Sequence, residues 1–208
     1  MNSFILFLTL FINLPLLLLK ASDSTMPEIK IKEIESLIEN RQISTQTLRA
    51  QFTQSVLPQN HPQPILSEGS FQYQKPQKLR IDFKIPDGEG MILTPTETTT
   101  WKKGLLPKST PHNPLKPSFK RIILEILEKK PSAWDSQFYK SISTERNSIL
   151  VTLTPRILDE KSPEQVQVRM RSSDFQITEI HIALRGILWD VKFHSIEINP
   201  ALKIKLTR

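Results

Sequence analysis

Residues 69–83 read GSFQYQKPQKLRIDF, in which apolar and polar side chains alternate on both sides of a Lys75-Pro76 break. A β-strand points successive side chains to opposite faces, so this pattern predicts two strands with one apolar face each. Lys75 has the same parity as Phe71 and therefore points toward the apolar face. A charged side chain is unusual on the apolar face of a plain core. Its position is better explained by an apolar cavity in which one charged group makes a specific contact. The alternating apolar residues are Phe71, Tyr73, Leu79, Ile81 and Phe83.

The same alternation continues through most of the chain. A strand is predicted at 47–56, and a hairpin turn at 86–90 precedes short strands at 91–93 and 98–101. Residues 102–116 contain three prolines and are predicted to form a loop. Further strands are predicted at 149–154, 166–170, 175–177, 180–184, 189–193, 196–198 and 202–206.

The predicted strands keep one polar face throughout, which is typical of an antiparallel sheet that curls over a single apolar interior. The alternation changes parity between Phe193 and Ile196. An extra residue in one strand of a ladder produces such a change, so we expect a bulge or bend near Ser195.

Two amphipathic helices complete the predicted fold. The first is expected to start with a capping box from Thr25 to Glu28 and to stop at Asn40. The second is expected to be capped by Ser118 and ended by Pro131. Helices of this kind bury their apolar stripes against the open side of a curled sheet. Tight packing would give a core, and loose packing a pocket with a lid. The stripes are Ile31, Ile34, Leu37 and Ile38, and Phe119, Ile122, Ile123, Ile126 and Leu127.

The N-terminus carries an apolar run at residues 4–19. Its length is short for a membrane span and suits the hydrophobic region of a secretory signal. We expect a signal peptide at residues 1–21, cleaved after Ala21, and a single domain at residues 22–208. A retained N-terminal anchor is the alternative.

Composition argues against several classes of protein. The chain has no cysteine, so it can form no disulfide and carries no site for lipid attachment of the bacterial lipoprotein kind. Its formal net charge of +7 favours anionic surfaces, but the basic residues are spread out and do not indicate nucleic-acid binding. The four histidines do not share metal-ligand spacing, and no nucleophile or phosphate-binding motif occurs. The sequence therefore predicts neither an enzyme nor a cofactor or metal site.

The order of several short motifs resembles a known family. An apolar leader and an amphipathic helix precede LRAQFTQ at residues 48–54, and GSF and Lys75-Pro76 follow. Trp101, the helix at 119–129, Trp134 and VTLTP at 151–155 come next. This order over the mature chain is similar to that of the periplasmic outer-membrane lipoprotein carrier proteins, the LolA family.

The resemblance implies the fold class α+β, mainly β: an unclosed antiparallel β-barrel with an amphipathic helical lid over a hydrophobic cavity. It also implies a soluble, monomeric periplasmic carrier of acylated lipoproteins. Its partners would be an inner-membrane ABC lipoprotein-releasing transporter and an outer-membrane lipoprotein receptor.

The same resemblance gives the expected site. At the position of Lys75 the family has an arginine that bonds backbone carbonyls of the lid helix, so we expect Lys75 to be a latch toward the second helix. Lysine is a departure, because its ammonium lacks the planar fork of arginine. The expected cavity residues are Phe52, Phe71, Tyr73, Leu79, Ile81, Phe83, Ile85, Met91, Phe119, Ile122, Ile123 and Ile126.

Other interpretations remain open at this stage. The apolar strand faces and the second helix could form an ordinary core, and Lys75 could simply snorkel to water. A lipid- or lipopeptide-sensing regulatory domain of the envelope could use the same half-barrel, and a retained leader would favour it. An enzyme acting on envelope lipids is the weakest reading, because only Lys75 adds a polar group to the predicted inner face.

Overall fold

A computed structural model describes residues 28–111, 119–157 and 162–202. The helices are α1 (Glu28–Ser44), α2 (Phe119–Glu128) and α3 (Pro131–Trp134). The strands are β1 (Thr47–Pro58), β2 (Ile65–Gln74), β3 (Lys78–Ile85), β4 (Gly90–Leu93), β5 (Glu97–Trp101), β6 (Lys108–Pro111), β7 (Phe138–Glu145), β8 (Ser148–Pro155), β9 (Gln165–Arg171), β10 (Ile177–Leu184) and β11 (Ile187–Ile198).

All eleven strands belong to one antiparallel sheet in the order β6-β5-β4-β3-β2-β1-β11-β10-β9-β8-β7. Consecutive strands pair within β1 to β6 and within β7 to β11, and β1 pairs with β11 to join the two halves. The ladder leaves β6 and β7 as edges, so the barrel is not closed. The predicted fold class, mainly β with an unclosed antiparallel barrel, is confirmed.

One face of the sheet carries the apolar core, and the helices lie on it. On β8, Ile149, Val151 and Leu153 are buried in alternation with half-buried residues. Ile38 of α1 and Ile126 of α2 belong to the same apolar cluster. The helices therefore bury apolar side chains against the concave side of the sheet. Leu37 of the predicted α1 stripe is 41% exposed and does not take part.

The predicted bulge is present. Arg49 pairs with Glu197 and Gln51 with His194, so two residues of β11 oppose one of β1. Ser195 has a φ of 48°, a conformation that L-residues adopt rarely. The parity change in the sequence thus marks a local irregularity inside a single strand, β11, rather than a break between two strands.

Several predicted boundaries were wrong. Residues 102–116 contain the edge strand β6. Residues 172–174 form a turn, Phe175 has a φ of 56°, and of the strand predicted at 175–177 only Ile177 belongs to a strand, β10. Strand β7 was not predicted. The second helix ends at Glu128, before Pro131 as predicted, and Pro131 also begins α3, which suits a residue that lacks an N–H and fits the first turn of a helix. The proposed caps at Thr25 and Ser118, most of the strand at 202–206 and the leader lie outside the described residues.

The first helix also continues beyond the predicted stop at Asn40, to Ser44. Carbonyls in its last turn have specific partners that make the extra turn favourable. The backbone N–H of Thr45 donates to Arg41 O at 3.1 Å. Asn199 Nδ2 donates to Ser44 O at 2.9 Å. These contacts fix where α1 ends relative to β1.

A lysine of β7 with a buried side chain links α1 to α3. The Lys140 side chain is 8% exposed and its Nζ lies 2.5 Å from Glu35 of α1 and 2.9 Å from Asp135 after α3. It also donates to Pro131 O at 3.1 Å. A buried charge needs partners of this kind, so Lys140 sets the position of α1 on the sheet.

Candidate functional site

An apolar cavity of about 110 Å³ lies between the concave face of the sheet and α2. Strands β1 to β4 and β11 form its walls, and α2 covers it with Ile123. Its lining residues are Phe52, Gln54, Phe71, Leu79, Ile81, Phe83, Met91, Ile123, Trp189, Val191 and Phe193.

The structure brings together seven of the predicted cavity residues, namely Phe52, Phe71, Leu79, Ile81, Phe83, Met91 and Ile123. Tyr73 and Ile126 are 0% and 2% exposed and are buried in the core beyond the cavity wall. Ile85 is 50% exposed and does not line the cavity, because a bulge at Lys84 places it opposite Glu68, on the outer face of the sheet. The side chains of Phe119 and Ile122 lie outside the described part of the structure.

Four lining residues were missed by the sequence analysis: Gln54, Trp189, Val191 and Phe193. The last three belong to β11, which lies far along the chain from its partner strand β1. Their alternation was visible in the sequence, but their place beside Phe52 depends on strand order. Gln54 has the inward parity of Phe52, and this was the signal that could have found it.

Glycine shapes the wall between two aromatic rings. Gly69 of β2 pairs with Phe52 on one side and Phe83 on the other. With no side chain between them, the two rings meet edge to face, with centroids 5.7 Å apart. Phe71 and Phe193 make a second such pair at 5.2 Å. These contacts give the cavity a rigid aromatic wall.

Burial along the strands shows which end of the cavity is closed. On β1, Ala50 and Phe52 are buried, whereas Gln54 and Val56 are half-buried. On β2, exposure rises from 0% at Tyr73 to 50% at Ile65. Among the described residues, the closed end therefore lies next to Tyr73 and the more open end at the level of Gln54.

Lys75 lies beside the closed end and contacts α1. Its Nζ donates to the carbonyl oxygens of Gln42 at 2.5 Å and Ile43 at 3.3 Å. A cation is favoured there because the last carbonyls of a helix carry partial negative charge. Burial lowers the pKa of Lys75, and the carboxylate of Glu128 partly offsets this. The predicted inward direction is present, but the helix that Lys75 contacts is α1 and not α2.

Glu128 is the residue that fastens α2 to the sheet. Its Oε1 accepts hydrogen bonds from Tyr73 Oη at 3.1 Å and from the backbone N–H of Gln77. A further bond joins the two helices, because Gln42 Nε2 donates to Ile126 O at 2.8 Å. The β2–β3 turn, the end of α1 and the end of α2 are therefore linked at one point, away from the open end of the cavity.

The Tyr73–Glu128 contact predicts an alkaline effect on stability. Burial raises the pKa of the Tyr73 hydroxyl far above its usual range, and the Glu128 carboxylate raises it further. Above about pH 10 the unfolded chain loses this proton and the folded chain keeps it, so stability falls as pH rises. We expect Tyr73→Phe to reduce this fall between pH 10 and 11 by up to about 1.4 kcal/mol, measured by urea unfolding. The exposed Tyr139 provides the control Tyr139→Phe, and equal slopes in all three proteins would contradict the prediction.

The described part of the chain holds no group of three or more His, Cys, Asp or Glu residues that could bind a metal ion. Within residues 28–111, 119–157 and 162–202, no helix has both the length and the apolar character needed to cross a membrane.

Comparison with protein families gives a match over most of the chain. The model described as outer membrane lipoprotein carrier protein LolA matches residues 43–205. This range includes every strand, α2, α3 and all the described residues that line the cavity. No curated protein matches the chain.

Solved structures resemble the chain in fold. An uncharacterized conserved protein from Thermus thermophilus has a TM-score of 0.53 at 11% identity, covering 86% of this chain and 93% of that one. A LolA superfamily protein from Nitrosomonas europaea has a TM-score of 0.44 at 6% identity, covering 82% and 94%. The MucA/MucB complex of Pseudomonas aeruginosa has a TM-score of 0.39 at 12% identity, covering 83% and 59%. The Thermus protein supports the fold, and none of the three assigns a function.

Proposed function

The chain belongs to the LolA family of outer membrane lipoprotein carrier proteins, and on this basis we propose that it is a periplasmic carrier of acylated lipoproteins. It would take lipoproteins from an inner-membrane ABC transporter and deliver them to an outer-membrane receptor. The proposed activity is transport by a monomer, with no catalytic step. The observation that carries the proposal is the apolar cavity between the concave sheet and α2.

The energetics of lipid transport support this use of the cavity. Each methylene of an acyl chain exposed to water costs about 0.8 kcal/mol, so a carrier must replace water with an apolar lining. The described lining is apolar apart from Gln54, and its aliphatic side chains make few directional contacts. Such a surface accepts chains of different shapes and still allows release.

The size of the cavity indicates that α2 must move during loading. Apolar cavities of about 150 Å³ admit a molecule as small as benzene, and this one measures about 110 Å³. A long acyl chain therefore needs part of the space that α2 fills with Ile123. We propose that α2 is the lid, that it pivots at its Glu128 end, and that its return displaces the load at the receptor.

Co-purification tests the proposed function. The exported chain would be expressed with a tagged outer-membrane lipoprotein and purified from the periplasm, and we expect the lipoprotein to accompany it. A matched lipoprotein whose acylated cysteine is replaced by alanine should not. If neither form accompanies the chain, or both do equally, the carrier proposal fails. N-terminal sequencing of the exported chain tests separately whether the leader is cleaved, as shuttling requires.

Lys75 provides a sharper test of the lid. Its ammonium bonds the last carbonyls of α1, and Gln42 of α1 in turn donates to Ile126 O of the lid helix α2. Because Lys75→Leu loosens the end of α1 that holds α2, it should weaken the closed state by about 1 kcal/mol and leave the fold intact. Closure competes with the load, so an acylated fluorescent probe should bind about fivefold more tightly and leave more slowly.

Two variants serve as controls for Lys75→Leu. Lys75→Arg keeps a cation at the end of α1 and should behave like the original chain. Lys84→Leu makes the same change at an exposed position of β3 and should have no effect on probe binding. Equal probe affinity in Lys75→Leu and the original chain would show that Lys75 only snorkels to water.

A further inference from the structure

Gln54 is the one polar residue among the described side chains that line the cavity. The rest of that lining is apolar. Its amide makes no hydrogen bond to the described residues, although an amide offers two donors and an acceptor. Gln54 therefore places unused hydrogen-bonding groups inside an apolar site.

A second polar side chain stands beside it. Ser67 of β2 is the direct cross-strand partner of Gln54, so the two share the inner face, with Cβ atoms about 5 Å apart. The Ser67 hydroxyl also makes no hydrogen bond to the described residues. On the deeper side of this pair lie Phe52 and Gly69, and on the outer side lie Val56 and Ile65. The pair thus forms a polar step across an otherwise apolar wall.

The position of Gln54 and Ser67 along the cavity indicates which part of a ligand they would meet. The pair lies at the more open end of the cavity, while Tyr73 and Leu79 mark the closed end. A chain that enters tail first would place its methyl end toward Leu79 and its head group at Gln54. The head of every acyl chain is an ester or amide carbonyl, which is a hydrogen-bond acceptor.

We propose that Gln54, assisted by Ser67, binds the acyl carbonyl at the head of a seated chain; this inference rests on the proposed function. A seated chain would displace water from the Gln54 amide, and burying that amide without a partner is unfavourable. A carbonyl restores the lost bond by accepting from Gln54 Nε2 or Ser67 Oγ. A plain alkyl chain does not restore it. The site would therefore select acyl chains over other hydrocarbon of equal length.

A matched pair of lipids tests this selection. Dioctanoyl-ester and dioctyl-ether phosphatidylglycerol have equal chains and head groups, and only the ester has carbonyls. Their affinities would be measured by displacement of a fluorescent dye from the purified chain. We expect the ester to bind about 5- to 10-fold more tightly. In Gln54→Leu the ratio should fall to about one, with the affinity for the ether kept or raised. Ser67→Ala should reduce the ratio less.

The control variant is Gln51→Leu, which makes the same change at an exposed position of β1 and should keep the original ratio. A dioctanoyl-ester lipopeptide tests whether the site recognises the ester carbonyl itself or the kind of molecule that carries it. Gln54→Leu should weaken lipopeptide and phospholipid equally, because both present the same ester.

Four results would overturn the inference. Two concern the lipid pair in Gln54→Leu: an unchanged ratio of ester to ether affinity, or an equal loss of both affinities. The third is a loss of affinity in Gln54→Leu for only one of the two ester ligands. The fourth is no preference for the ester in the original chain. Binding of neither lipids nor lipopeptide by the original chain would instead overturn the proposed function, and this inference with it.

Discussion

Leu79→Glu is expected to lower the free energy of unfolding by at least about 4 kcal/mol, the largest effect of any change considered for this protein. Leu79 is 1% exposed at the closed end of the cavity and pairs with Tyr73 and Leu93, both fully buried. The substitution removes a buried apolar side chain and adds a carboxylate among apolar neighbours. The midpoint of urea unfolding measures the loss, and binding of an acylated probe should disappear in parallel.

Leu79→Met is the matched control for this substitution. It nearly conserves volume and should cost less than about 1.5 kcal/mol. If Leu79→Glu unfolds at the original urea concentration and binds the probe normally, then the side chain reaches water and Leu79 does not close the cavity.

Gly69→Ala is expected to destabilise the protein by about 3 kcal/mol. In most strands this change is favourable, because glycine weakens a strand interior. Here the new Cβ would lie 2.2 Å from the carbonyl oxygen of Asp82 and 3.0 Å from the Phe52 ring. The carbonyl belongs to the neighbouring strand, so β2 and β3 would have to separate and the contact of Phe52 with Phe83 would be lost. Thermal unfolding measures the loss.

The control for Gly69→Ala is Ser70→Ala, at the next position of β2 and on the opposite face. It should change stability by no more than about 0.5 kcal/mol. Stabilisation by Gly69→Ala would mean that the strands have room for a methyl group, and that Gly69 does not shape the wall.

The sequence predicted the faces of the strands well because side-chain alternation depends directly on burial. Phe52, Phe71 and Leu79 were all placed on the inner face, where they are found. Alternation does not report depth along a strand. Tyr73 and Ile126 therefore had the right direction but lie beyond the cavity wall. Ile85 had the wrong direction, because the bulge at Lys84 turns it to the outer face.

Edge strands and strand order were beyond the reach of the sequence pattern. All four residues of β6 are exposed, and Ile142 is the only buried apolar residue of β7, so neither strand shows an apolar alternation. The contribution of Trp189, Val191 and Phe193 to the cavity depends on the pairing of β1 with β11. The end of α1 depends on contacts with Lys75 and Asn199, which are distant in sequence.

The two unpaired edges of the sheet have a mechanical consequence. A closed barrel is stiff, because its interior can widen only if a row of backbone hydrogen bonds breaks. Here the ladder ends at β6 on one side and at β7 on the other, so the sheet can uncoil slightly with every existing ladder bond intact. The volume of the cavity can then change through the curvature of the sheet as well as through the position of α2.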